Sequence, residues 1–117
     1  MKEVQTMVIP KSFDDGRDFE SMLLTSILGT FIALKEDLIS LKQAESYWFS
    51  DLTAEIFEEL SLSAELVTII QEGVQLKKLS QYSTIYEEQL DKLIEASKNL
   101  IARYYTDYDD TNAGIIN

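Results

Sequence analysis

The sequence predicts an all-α protein, a single compact bundle of about five helices with two of them short. Three observations lead there. Apolar residues recur at helical spacing along most of the chain, and Ser- and Thr-led capping signals punctuate that pattern. No stretch of about five to eight residues alternates apolar with polar as a half-buried strand would. With 117 residues the chain fits one domain, residues 1–117, with a lead-in at 1–17 and a polar tail at 106–117.

Residues 1–17 read as an extended lead-in. Pro10 biases Ile9 away from helix, and Asp14-Asp15-Gly16 reads as a turn. The first helix is expected from Asp18, as its N-cap, to about Glu36. Phe19, Met22, Leu23, Leu24, Ile27, Leu28, Phe31, Ile32 and Leu34 cover most of its circumference, which predicts a central helix buried nearly all round. Gly29 interrupts it at a cost of about 1 kcal/mol relative to Ala, so the residue reads as a point of close approach by a neighbouring helix.

Ser40 and Gln43 have the capping-box spacing and predict a short second helix ending near Phe49. Ser50 or Asp51 then caps a third helix carrying Leu52, Ile56, Phe57 and Leu60. Ser63 caps a fourth from Ala64 to about Leu79, with Leu66, Val67, Ile69, Ile70, Val74 and Leu76 inward. Thr84 and Glu87 repeat the capping box and open the last helix. Its seam runs Tyr86, Leu90, Leu93, Ser97, Leu100 and Tyr104 on a 4-3 spacing.

Composition narrows function mainly by exclusion. Cys and His are both absent, which removes disulfides, thiol nucleophiles, imidazole bases and the usual zinc, copper and haem ligands. No glycine-rich phosphate loop, GxSxG or HExxH is present. Asp107-x-Asp109-x-Thr111 begins like a calcium loop, but Asn112 stands where that loop needs Gly. The expectation is a protein that is not an enzyme and takes no metal or cofactor. Met1-Lys2-Glu3-Val4-Gln5 lacks the apolar core of a signal peptide. The Met22–Leu34 run falls short of the roughly 20 residues a membrane span needs, so the default compartment is the cytoplasm. A net charge of −11 disfavours nucleic acid and anionic lipid and favours a basic protein as partner.

The charge is unevenly placed. Between Gln43 and Leu76 there is no Lys or Arg, whereas Glu45, Asp51, Glu55, Glu58, Glu59, Glu65 and Glu72 are acidic. On the third helix Asp51, Glu55, Glu58 and Glu59 stack into one stripe roughly 120° wide, with Leu52, Ile56 and Leu60 expected to face the core opposite. Like charges at i, i+4 repel by a few tenths of a kcal/mol. The stripe is either a solvated face or an electrostatic docking surface for a basic partner. Trp48 beside it reads as core or as an interface anchor. Among the six Tyr, Tyr86 and Tyr104 read as seam residues. Tyr105 and Tyr108 lie among Asp107, Asp109 and Asp110, a mixture that suits contact with a cationic protein.

Ala33-Leu34-Lys35-Glu36-Asp37-Leu38-Ile39-Ser40-Leu41-Lys42-Gln43-Ala44-Glu45-Ser46-Tyr47-Trp48-Phe49-Ser50 resembles a pattern in small bacterial helical proteins, in which a core helix is followed by a turn ending in Ile-Ser and a second amphipathic helix. The whole chain resembles immunity proteins of bacterial toxin systems, of the contact-dependent inhibition or colicin kind. Tyr104-Tyr105-Thr106-Asp107 is similar to the paired-tyrosine loop of the helical nuclease-colicin immunity proteins. Thr106 stands where that family has proline, so the roles of its tyrosines do not carry over. The resemblance implies a cytoplasmic monomer that neutralises a cationic toxin, a nuclease by preference, in a one-to-one complex. The expected contact residues are Glu45, Trp48, Asp51, Glu55, Glu58, Glu59, Tyr105, Asp107, Tyr108 and Asp109. The rival readings are a nucleic-acid mimic or adaptor that sequesters a basic DNA- or RNA-binding protein, and a homodimeric structural protein.

Overall fold

The computed structural model describes the backbone of residues 16–116 and the side chains of residues 18–104. The described chain is all-α, in the order α1 (Gly16–Lys35), α2 (Leu41–Tyr47), α3 (Asp51–Glu59), α4 (Ala64–Leu79) and α5 (Ser83–Ile116). The three central helix starts lie where the serines place them. Ser40 accepts from the Gln43 amide while the Gln43 side chain accepts from the Ser40 amide, closing the capping box. Ser50 accepts from the Thr53 amide and Ser63 from the Leu66 amide.

The outer helices depart from expectation at their ends. α1 starts at Gly16, which puts Asp18 in its first turn rather than at its N-cap. α5 starts at Ser83, so Thr84 is already helical and its capping box does not form the helix start. At the far end α5 stays helical to Ile116, through the segment expected to be a polar tail. No proline interrupts that segment, and nothing else in it forbids helix. The expected extended lead-in falls mostly on residues 1–15, outside the described residues.

α1 and α5 run antiparallel as the main pair. Near one end Lys35 of α1 pairs with Asp91 and with Glu87 (3.5 Å) of α5. Near the other, the Tyr104 hydroxyl of α5 donates to Glu20 of α1 at 2.7 Å. The seam of α5 is buried as its spacing requires. Leu90, Leu93 and Ser97 are fully buried, Leu100 nearly so, and Tyr86 and Tyr104 flank them half-buried. Ser97 is accommodated there because its hydroxyl donates to the Leu93 carbonyl at 2.8 Å.

α1 is not buried all round. Leu23, Leu24, Ile27, Phe31 and Leu34 face inward, but Met22, Thr25, Ser26 and Gly29 form an exposed stripe. The residue types on that side decide this. Thr25, in the stripe, turns its hydroxyl back onto the Ser21 carbonyl, and Ser26 and Gly29 add no apolar side chain, leaving that side of the helix with little to bury; Thr30, on the buried side, satisfies its hydroxyl on the Ser26 carbonyl. The expected close approach at Gly29 is therefore absent, and the space around it is open.

The close approach occurs instead at Gly73 of α4. A methyl group on Gly73 would lie 2.5 Å from Phe49 Cδ1. Phe49, in the link between α2 and α3, is stacked on Phe31 of α1 with ring centroids 4.7 Å apart. One aromatic ring thus ties the α2–α3 link to both α1 and α4, and the missing side chain at Gly73 makes room for it.

Candidate partner-binding face

α3 carries the candidate site, and its geometry begins with what it buries. Ala54 and Phe57 are the buried residues of this helix. Phe57 also meets Trp48 edge-on, with ring centroids 6.2 Å apart. Leu52, Ile56 and Leu60, expected to face the core, point outward and are 64%, 42% and 53% exposed. The correction has a physical reason. Residues 54 and 57 share a face three positions apart, and a small residue beside a large ring lets α3 lie close to α4 while burying the most apolar area. Leu52, Ile56 and Leu60 lie on a different side of a short helix, and no other described helix covers them.

The helix therefore has three sides. At about 100° per residue the buried pair, the acidic stripe and the outward aliphatic row each take a separate sector, and the acidic and aliphatic sectors adjoin. Asp51, Glu55, Glu58 and Glu59 are all exposed. Glu58 accepts a hydrogen bond from Gln71 at 3.4 Å. Among the described residues, none of the four is paired with a cation.

Two cations elsewhere tie helices together. Arg103 of α5 meets Glu65 of α4 at 2.9 Å, and Lys35 bridges α1 to α5. The Lys35 ammonium is held above its ordinary value first by its hydrogen bond to Asp91, with burial acting in the opposite sense. α3 has no such arrangement. Its last turn closes with Ser61 in the left-handed region at φ 60°, the Leu62 amide donating to Phe57 and the Ser61 amide to Glu58. That is a Schellman ending without glycine. Asp37, at φ 59°, ends α1 in the same way.

The other expected contact residues are placed less decisively. Trp48 and Glu45 are half-buried at and near the end of α2. Trp48 packs on Phe57 and so belongs to the base of α3 rather than to its outer face. Tyr105, Asp107, Tyr108 and Asp109 lie on the last part of α5, and their side chains fall outside the described residues. Just before them, Tyr104 is half-buried between Glu20 and the Ser63 hydroxyl, 3.5 Å away. Its phenol is pushed up to about 12, first by burial; Ser63 acts the other way and Glu20 adds to the rise.

A cleft of about 450 Å³ lies between α4 and α5. Ala64, Thr68, Ile69, Ala96 and Leu100 line it beside the paired Glu65 and Arg103. No group of three or more Asp or Glu among the described residues is arranged to hold a metal ion. No described helix is long and apolar enough to cross a membrane.

Residues 14–115 match the model of a family described as a protein of unknown function, DUF3969. The chain belongs to the DUF3969 family. No curated protein and no solved structure matches it. The match spans α1 to α4 whole and α5 to within one residue of its end in this DUF3969 protein, so the bundle and the α3 face are features of the matched region rather than of an appendage.

Leu52, Ile56 and Leu60 are the exposed residues of this face that the sequence pattern assigns to the core. Their signal was a strict 4-4 spacing, which drifts by about 40° per step around a helix. The competing pair, Ala54 and Phe57, has the i, i+3 spacing of a true seam.

Proposed function

We propose that this DUF3969 protein is a binding protein, not an enzyme, that neutralises a basic protein partner as an immunity protein neutralises its toxin. The observation that carries this reading is the run of exposed carboxylates Asp51, Glu55, Glu58 and Glu59 on α3, without a cation partner among the described residues. A nuclease attracts a polyanionic substrate and so carries a positive active-site surface. A rigid acidic helix can occupy that surface or cover the approach to it. Complementary charge also speeds encounter, by one to three orders of magnitude at low salt. A toxin that acts inside the cell calls for an inhibitor in the cytoplasm, in a one-to-one complex.

The test is capture of the partner by the full chain from its native host at about 50 mM and about 500 mM salt, where exposed charge pairs are strongly and weakly felt respectively. The reading predicts one basic protein, held one-to-one at both salts, whose nuclease activity disappears on adding an equimolar amount of this chain. In that pair, E55K with E58K slows association by about tenfold or more at low salt. A one-to-one partner without catalytic activity would replace the immunity reading with sequestration of a nucleic-acid-binding protein. Broad capture of basic proteins that vanishes at high salt would reduce the stripe to a solvated face.

A further inference from the structure

We infer that the outward row of α3, Leu52, Ile56 and Leu60, is the anchoring half of the partner surface, and that its occupant is an amphipathic basic helix of the partner protein. The inference rests on the reading of α3 as the partner face and specifies what that face recognises. Leu52, Ile56 and Leu60 are 64%, 42% and 53% exposed. They fall at i, i+4 and i+8, so they form one continuous row along the helix. Tyr47, five residues before Leu52, is a further exposed large side chain on the approach to it.

The charge beside this row selects the occupant. Along one edge, Asp51, Glu55 and Glu59 are exposed and have no described cation partner. A ligand covering both sectors must present an apolar stripe beside a cationic one. A helix with Leu- or Ile-type residues on one face and Lys or Arg on the flank meets both demands. Nucleic acid is repelled by the carboxylates, and a purely cationic surface leaves the aliphatic row in water. A second copy of this chain would bring its own Asp51, Glu55, Glu58 and Glu59 against the first set. The division of labour follows from the physics. Carboxylates govern the rate of encounter and its salt dependence, while the aliphatic row supplies the salt-resistant part of the affinity.

The experiment uses the full chain and two synthetic helical peptides of about 18 residues, about five turns, which cover the nine residues of α3 with turns to spare at each end. One carries a Leu face and a Lys flank; the other has Ser in place of Leu at equal charge. Binding is measured at about 50 mM and about 500 mM salt, where screening separates charge from burial. The inference predicts that the Leu/Lys peptide binds one-to-one and keeps most of its affinity at high salt, whereas the Lys/Ser peptide is released. L52S with I56S should weaken the Leu/Lys peptide by about tenfold or more, as loss of anchors does. It should leave the Lys/Ser peptide unchanged at low salt. E55Q with E59Q should weaken both peptides.

Equal binding of the Leu/Lys peptide to wild type and to L52S/I56S would overturn the inference. If the glutamine variant still weakened both peptides, the acidic-face reading would stand without it. If neither variant changed binding of either peptide, both would fall. A sedimentation mass of two chains at micromolar protein, abolished by L52S/I56S, would assign the row to self-association and overturn the inference too. Because the substituted residues are more exposed than core residues, helical circular dichroism is expected to be unchanged and the unfolding midpoint to fall only modestly. I56Q, which keeps more of the side-chain volume, provides a second variant should L52S/I56S fail to fold.

Discussion

α5 and α3 both carry a row of aliphatic residues at helical spacing, and they use it in opposite ways. On α5 the row from Leu90 through Leu93 to Leu100 is buried against the rest of the bundle. On α3 the row Leu52, Ile56 and Leu60 faces outward, and the helix holds on through Ala54 and Phe57. The lesson is that spacing sorts residues onto faces, but the neighbouring helix decides which face is inside. A 4-3 alternation follows a straight contact line, and α5 has one over its described length. On α3 the row is outward from its first residue, Leu52 being 64% exposed, because the helix packs through Ala54 and Phe57 on another side.

That contrast is broken most directly by truncating one residue of each row. L93A removes a fully buried side chain and is expected to cost about 3 kcal/mol in urea unfolding. L52A removes a side chain that is 64% exposed and is expected to change stability by no more than about 0.5 kcal/mol. Comparable losses at the two positions would mean that the α3 row is packed after all.

The two mid-helix glycines sharpen the same point. G73A drives a methyl group into the Phe49 ring, which is itself held against Phe31, and should cost about 1–3 kcal/mol despite the better helix propensity of Ala. G29A meets open space and should gain about 0.5–1 kcal/mol from propensity alone. Thermal unfolding of the two variants should therefore move in opposite directions.

Smaller effects follow at the ends and on the surface of α3. S61G relieves a left-handed residue at its C-terminus and should add about 0.5–1 kcal/mol, measured by urea unfolding. E55K places a cation four residues from both Asp51 and Glu59, and should raise stability by a few tenths of a kcal/mol per pair while weakening the Leu/Lys peptide. A variant that is more stable and binds worse is what a face kept acidic for a partner requires.

The smallest signal lies on α5. Tyr104 titrates at about 12 in the folded chain, above its ordinary 10.0, because burial disfavours the phenolate. A raised folded value means that its contribution is complete below about pH 10 and is lost as pH climbs toward about 12. Absorbance titration of Y104F should lack that late-titrating tyrosine.

Much of the fold was legible in the sequence. The serines at 40, 50 and 63 announced three helix starts, and the 4-3 seam announced the buried side of α5. The burial of α1 was overstated because apolar count hid an exposed stripe at Met22, Thr25, Ser26 and Gly29. The close contact was assigned to Gly29 rather than Gly73, since a glycine's neighbours are long-range and leave no local mark. At the site, the carboxylate stripe was legible because charge and period both sit in the residue string. The aliphatic row was assigned to the core because outward and inward sets have similar residue types, and only the tertiary position of α4 separates them.

The proposed role of α3 is to receive a partner on its outer surface. It is tested most directly by following backbone amide resonances of the full chain while the Leu/Lys peptide is added. Shifts are expected to concentrate at residues 51–60 and their immediate flanks, and L52S/I56S to abolish them. Shifts concentrated along the α4–α5 cleft, at Thr68, Ala96 and Leu100, with residues 51–60 unmoved, would contradict it.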